Sequence, residues 1–380
     1  MPDASSPSGR PVQPSGPLAG IRVVEIASIG PGPFAAMMLA DHGAEVLRID
    51  KPGGRDVGIR DFNKDPMLRG RDTLELDLKS ADDQKIALEL IARADVVLEG
   101  FRPGVMERLN LGPENCHEVN PSLVYARMTG WGQSGPLARR AGHDINYIAL
   151  AGALAAVGTQ HSGPVPPLNL VGDFGGGGMM MAFGICAALL QAKMTQKGTV
   201  VDAAMVEGTA LLMTMPFALK AQGLWPSGRG SNLLDGGAPF YGTYQTSDAE
   251  WVAIGAIEEP FWQELIEKLH LEGDVLRHRM NPSYWPQIHG LIAQRISEKT
   301  RQEWDTVFEG SDACFAPVLS MEEVTDHPHN LARDIFHRSD GVTQPMPAPQ
   351  FSGHEKSTPP QAGTTVSSKE AIERWCSDTD

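Results

Sequence analysis

His143 and Asp173 are the two side chains in this sequence best placed to move a proton. His143 follows Gly142 and precedes an apolar, Ala-rich run, while Asp173 precedes the four glycines 175–178 and a second apolar run ending near Leu190. Each is a candidate helix N-terminal group, close to a positive dipole end and to N–H donors with no partner inside the helix. Two acceptors of different chemical type that converge on one buried carbon can take a proton from one side and return it from the other. That is racemisation chemistry. The plainer reading makes Asp173 an ordinary N-cap and His143 a structural histidine, and the two residues by themselves leave both readings open.

Composition narrows the setting. At 380 residues the chain is too long for one simple core, so two domains are expected. The apolar run 179–190 is shorter than a bilayer-spanning helix, and no membrane insertion is expected. Residues 1–17 are rich in Pro and Ser, carry one Arg and lack an apolar segment; they read as a disordered tail rather than a targeting peptide, which with the plain CSDTD terminus implies a cytoplasmic protein. Cys116, Cys186, Cys314 and Cys376 are scattered without a CxxC pair, so neither a disulfide framework nor a metal site is expected. A net charge of -15 disfavours nucleic acid as a partner, and an anionic substrate would need a local basic patch.

The elements that must position the pair follow in chain order. Residues 21–27 (IRVVEIA) read as a buried strand, SIGPGP as a turn, 34–42 as a helix stopped by Gly43, and 46–50 as a second strand, which makes a βαβ unit. Gly30, Gly32 and Ala35 formally fit G-x-G-x-x-A, with Asp50 where an acidic ribose ligand belongs. Pro31 and Pro33 remove two N–H donors from the loop that would cradle a pyrophosphate, so a nicotinamide dinucleotide is rejected and a Rossmann-like half-sheet survives. Whether the Gly-Pro turn meets a ligand or is only a tight connection stays open.

Arg48, Lys51, Arg55, Arg60, Lys64, Arg69 and Arg71 outnumber Asp50, Asp56, Asp61 and Asp65, and are expected to form a basic patch at the strand ends where open α/β sheets bind ligands. A strand at 74–78, a helix capped by Ser80 and running to about Ala94, and a strand at 96–99 continue the alternation. GFRPGVMERL then puts Arg102 in a turn and Arg108 on a short helix, both with the planar fork suited to phosphate. A strand at 123–128 leads through TGWGQSGP to His143. Beyond the central stretch come a strand at 199–204, a helix at 206–221 and a hairpin from 240–246 and 251–257 with Glu258 at its end. Amphipathic helices follow from Pro260 to about Phe308, then a return through SDACFAPV. The pattern predicts an α/β protein: a Rossmann-like large domain at 18–222, a linker at 223–239, a smaller α+β domain at 240–320, and a segment at 321–380 returning onto the large domain.

GPGP, RIDKP, LDLK, EGFRPGV, YARMTGWGQSGP, AGHDINYIAL, PPLNLVGDFGGG, GTVVDAAM, LDGGAPFY, GAIEEPF, SDACFAPV and PMPAP occur in this order over residues 17–352. Together they resemble the family III CoA-transferase superfamily, and within it the members that racemise 2-methylacyl-CoA thioesters in fatty-acid metabolism. The resemblance implies an interlocked homodimer in which the large domain holds the CoA and the partner's smaller domain covers the site. It implies an acyl-CoA thioester as substrate and no separate cofactor. The 2-methyl centre would be inverted by 1,1-proton transfer through an enolate, with His143 and Asp173 as the two acid/base groups and Glu258 supporting the histidine by a hydrogen bond. Lys51, Leu76, Asp77, Leu78, Lys79, Gly100, Phe101, Arg102, Arg108, Gly142, Asp144, Ile145, Asn146 and Tyr147 would contact the CoA. Lys51 stands where relatives often carry Arg, which keeps the charge and loses the bidentate geometry.

A thioester makes the α-hydrogen removable because the charge left behind moves onto the thioester oxygen, which then needs donors. The N–H groups at the start of the Asp173 helix could supply them, or the glycines could serve close helix packing; both stand. Met179, Met180, Met181, Met205, Met213 and Met215 offer a soft wall for an acyl chain, although three consecutive methionines on a helix must include core filler. Cys314 is given no role. The rival enzyme is a CoA-transferase with Asp173 as nucleophile, for which a second base is unnecessary; a non-catalytic CoA-binding protein is the third possibility.

Overall fold

Val23, Val24 and Ile26 are all buried, so the first strand, β1 (Arg22–Ile26), is covered on both faces as parallel strands are. The structure is a computed structural model that describes residues 15–54, 64–226, 228–339, 341–354 and 358–376. The chain divides into two units: Met1–Asp144 with Leu170–Gly208 and Asp334–Asp380, and Ile145–Asn169 with Thr209–Arg333.

In the first unit β1 is followed by α1 (Pro31–Asp41), β2 (Glu45–Asp50), β3 (Arg71–Glu75), α2 (Ala81–Ile91), β4 (Val96–Glu99), α3 (Val105–Arg108), α4 (Pro113–Val119) and β5 (Val124–Thr129). After α5 (Asp144–Leu150) and α6 (Ala153–Ala156), which from Ile145 on belong to the second unit, the first unit resumes with a π-helix at Leu170–Met179, α7 (Met180–Thr195) and β6 (Thr199–Ala204). The strands form one parallel sheet in the order β3-β2-β1-β4-β5-β6, with the two-residue strand Thr365–Val366 beyond β3 as the seventh. The order reverses between β1 and β4, where open sheets of this kind open a crevice at their carboxyl ends.

Local chemistry explains where the elements depart from the sequence reading. The Gly-Pro turn is itself the start of α1, with Pro31 at the first helical position, where a missing N–H costs nothing and the fixed φ is already helical. β3 begins at Arg71 rather than at Leu74 because Arg71 is paired with Val46 and buried. The helix expected over 206–221 is two helices, Met205–Leu212 and Thr214–Ala221; Pro216 cannot donate to the carbonyl four residues earlier.

The expected basic patch is largely internal. Arg48 and Arg71 meet the fully buried Glu25 at 2.8 and 2.7 Å, and Arg69 forks onto Asp41 at 2.8 and 2.6 Å. Lys51 and Lys64 stay exposed, while Arg55, Arg60, Asp56 and Asp61 lie outside the described residues. The Pro-rich return segment runs on this unit: Arg69 Nη1 donates to Pro345 O at 2.9 Å, and His42 Nε2 lies 3.1 Å from Ala348 O.

The π-helix and α7 form one continuous helix, Leu170–Thr195, of 26 residues. By length and composition this helix could cross a membrane, a length the 179–190 run did not reveal because the glycines before it are helical too. Here it packs on α1, β5 and β6.

The second unit holds β7 (Gly242–Gln245), β8 (Trp251–Ile254) and β9 (Phe315–Pro317) in an antiparallel sheet, with β9 supplied by the SDACFAPV return. Its core is built on Phe240, Trp262, Trp285 and Trp304 with the helix Trp285–Ile296. Arg279 lies inside it, 5.1 Å over the Phe240 ring and 5.6 Å over Trp262.

Candidate active site

The carboxyl ends of β1, β2 and β3 surround a cavity of about 330 Å³. Ile26 and Ala27 come from β1 and its exit, Ile49, Asp50 and Lys51 from the end of β2, Leu76, Asp77, Leu78 and Lys79 from the segment after β3, and Phe101, Val105 and Leu109 from the far side of the switch point. Aliphatic and aromatic groups thus form a floor for a flat apolar moiety, with two lysines among the lining groups for an anion. Six of the residues expected to contact CoA line it: Lys51, Leu76, Asp77, Leu78, Lys79 and Phe101. Gly100 is the spacer beside them, since a Cβ there would lie 2.8 Å from Ser28 Cβ. Arg102 and Arg108 are exposed on the loop and helix that form the Phe101 wall.

The segments that carry His143 and Asp173 meet at one end of the π-helix. Asp173 is half-buried in its first turn, and its backbone N–H donates to Asp144 Oδ2 at 2.7 Å. Asp144, grouped above with the CoA contacts, is buried, and α5 begins with it directly after the exposed His143. The Asp144 carboxylate, rather than Asp173 itself, therefore caps this helix, and it ties the segment that carries His143 to the one that carries Asp173. On its other side the Asp173 carboxylate rests on the Gly-Pro turn: a Cβ at Gly30 would come within 3.2 Å of Oδ2. Gly30 has a φ of 75°, so the turn and the close approach both require glycine. The Gly-Pro turn thus does more than connect β1 to α1, because it also packs beside the Asp173 carboxylate.

Residues 18–365 match the pattern of CoA-transferase family III. The chain belongs to that family. It is 48% identical to the human alpha-methylacyl-CoA racemase over 87% of this chain and 86% of the relative, and 46% identical to the mouse protein of the same name over 87% and 85%. It is 30% identical to the acetyl-CoA:oxalate CoA-transferase of Acetobacter aceti over 91% and 92%. Among solved structures, Rv3272 of Mycobacterium tuberculosis superimposes with a TM-score of 0.75 at 26% identity over 93% of this chain and 98% of that one. A CAIB/BAIF family protein of Brucella suis gives 0.77 at 22% identity over 96% and 99%, a likeness of fold.

Within this family member the glycine run serves packing. A Cβ at Gly178 would lie 2.6 Å from Phe34 Cδ1, and one at Gly177 would lie 2.9 Å from Pro31 Cβ. In a π-helix the later N–H groups bond to carbonyls five residues back, and that of Asp173 is taken by Asp144. The run is thus not the source of free donors for an enolate oxygen that the sequence allowed. Among the methionines, Met181 and Met205 are core and Met179 and Met215 are exposed.

The remaining expected residues are divided between the two units. Gly142, in the first, is half-buried; Ile145 and Asn146 are exposed and Tyr147 is buried. Glu258 is exposed at the N-cap of the helix Glu259–Lys268, and buried Arg279 holds both its neighbours, donating to Ile257 O at 2.8 Å and to Glu259 at 2.9 Å. Burial, with Glu258 and Asp312 nearby, pushes the Cys314 thiol up, which keeps it out of the reactive thiolate form.

No local sequence signal marked Glu99, a fully buried carboxylate at the end of β4. Burial pushes it up to about 7, against the Phe101 N–H and the Arg127 guanidinium, which favour the ionised form. The folded protein thus keeps this proton to a higher pH than the unfolded chain does. The resulting stabilisation is complete below the ordinary carboxylate range and is lost as pH rises through about 7. Between pH 5 and 8, Glu99→Gln is expected to gain on the parent protein by on the order of 2 kcal/mol, read from parallel urea unfolding curves. A difference that stays constant with pH refutes this.

Proposed function

We propose that this chain is an α-methylacyl-CoA racemase that inverts the 2-methyl centre of 2-methylacyl-CoA thioesters, with His143 and Asp173 as the two acid/base groups. One observation supports this above the others: the chain leaving β1 lines the cavity at Ala27 and, three residues on, passes beside the Asp173 carboxylate at Gly30, where an added Cβ would lie 3.2 Å from Oδ2. An acyl-CoA whose nucleotide end lies in the cavity and whose pantetheine follows that turn presents its α-carbon to Asp173. The names and identities of the human and mouse relatives point the same way.

The α-proton passes to one base, negative charge collects on the thioester oxygen, and the other base delivers a proton to the opposite face of the enolate. The pair therefore carries one mobile proton in each resting state. CoA is part of the substrate, and the reading needs no further cofactor. The first unit takes the CoA. A homodimer is part of the proposal: α7 exposes Phe183 and Met194 to 70% and 77%, beside Leu190, and Val200 of the edge strand β6 is also exposed, an apolar surface that a second copy would cover. In it the partner's second unit would close the site and bring Glu258 to the histidine. A cytoplasmic role in fatty-acid metabolism completes the reading.

The test is incubation of an (R)- or (S)-2-methylacyl-CoA in deuterium oxide with a free carboxylic acid present. Deuterium at the α-carbon with loss of optical purity is the expected result. CoA transfer to the acid without α-labelling would replace the racemase by the transferase chemistry named for the Acetobacter relative, and neither outcome would leave only CoA binding.

A further inference from the structure

The wall of the cavity formed by Phe101, Val105 and Leu109 is held by three charged residues that no reading above assigns to the site. Glu99 Oε2 accepts the Phe101 N–H at 2.6 Å, so the residue that enters the wall is fixed to the end of β4. Glu99 Oε1 accepts from Arg127 Nε at 2.9 Å, and Arg127 reaches on with both terminal nitrogens to Glu107 at 2.7 and 3.2 Å. Glu107 lies on α3, between Val105 and Leu109 of the wall and directly before Arg108.

The three differ in burial in a way that suits a relay. The side chains of Glu99 and Arg127 are 0% and 8% exposed, while that of Glu107 is 44% exposed. The buried pair is rigid because both ends lie on adjacent strands, with Leu98 opposite Ala126 and Glu99 opposite Arg127. The fork onto Glu107 carries that rigidity outward to a helix of one turn, too short to fix its own orientation. Beside it, the Tyr125 hydroxyl donates to Leu111 O at 2.7 Å, so β5 holds the chain on both sides of Arg108 and Leu109.

We propose that Glu99, Arg127 and Glu107 are positioning residues that preform the α3 wall for the nucleotide end of the acyl-CoA and present Arg102 and Arg108 to its phosphates. The relay lies at the cavity end of the site and Asp173 at the other, so it acts on binding and leaves the proton-transfer step alone. A preformed wall removes an ordering cost that binding would otherwise have to meet. The inference rests on the reading of the cavity as the CoA site.

The experiment compares the parent protein with Glu107→Gln, a change at a half-exposed position that keeps the fold. Calorimetric titration with free CoA is expected to show about tenfold weaker binding, a loss of roughly 1.4 kcal/mol. Racemisation of a 2-methylacyl-CoA is expected to show KM raised by the same factor at unchanged kcat. The corresponding 2-methylacyl-pantetheine thioester, which has no nucleotide to place in the cavity, is expected to turn over equally well with both proteins. Arg127→Lys, which keeps the charge and loses the fork, is expected to shift CoA affinity in the same direction. CoA affinity equal to the parent's in both variants, or equal losses on the CoA and pantetheine substrates, overturns the relay. Failure of the parent protein to bind CoA at all would instead remove the proposed function.

Discussion

Asp173→Ala lowers inversion of 2-methylacyl-CoA by roughly a thousandfold or more, the expected result of removing one of two bases from opposite faces of a carbon. His143→Ala is expected to do the same, yet the two variants part company in deuterium oxide. With Asp173 gone, the histidine still faces the α-hydrogen of one enantiomer, removes it slowly and returns a deuteron to the same face. That enantiomer gains label and keeps its configuration. With His143 gone, the carboxylate does this for the opposite enantiomer. The measurement is α-deuterium by mass spectrometry and configuration by chiral chromatography on each enantiomer with each variant. Full inversion by either variant removes that residue from the mechanism, and labelling of the same enantiomer by both shows that the two groups share one face.

What the sequence disclosed of this arrangement was whatever local pattern controls. β4 and β6 are bounded by short apolar or β-branched runs between turn signals, and both fall where the pattern puts them. LDLK was tied to CoA by the family resemblance alone, and the segment lines the cavity at the carboxyl ends of the strands. The features that escaped depend on partners distant in the chain. Arg48, Arg69 and Arg71 looked like a surface patch because nothing near them announces that Glu25 and Asp41 meet them inside. Glu99, Arg127 and Glu107 come from three elements, and each alone is an ordinary charged residue. The glycine run fitted two uses equally well until Phe34 and Pro31 were seen against Gly177 and Gly178. The π-helix has no five-residue sequence period by which to read it.

The contrast between Gly30 and Gly20 makes the position of the carboxylate testable without touching either base. Gly30→Ala is expected to lower kcat by roughly tenfold, because a misplacement of about 1 Å in a reacting group can cost a hundredfold and the carboxylate here is displaced by a fraction of that. The methyl group would stand 3.2 Å from Asp173 Oδ2, closer than a carboxylate and a methyl normally approach, so the carboxylate must give way. Alanine at a φ of 75° also strains the backbone, by on the order of 1–3 kcal/mol. That second effect needs its own control. Gly20 has a φ of 82° with nothing within 4 Å of the site of a Cβ, so Gly20→Ala meets comparable strain with no steric contact. Both variants should lose stability to a similar degree in thermal unfolding, and only Gly30→Ala should lose turnover. Equal kcat in the two variants would show that the Asp173 carboxylate tolerates displacement and that the Gly-Pro turn does no more than connect β1 to α1.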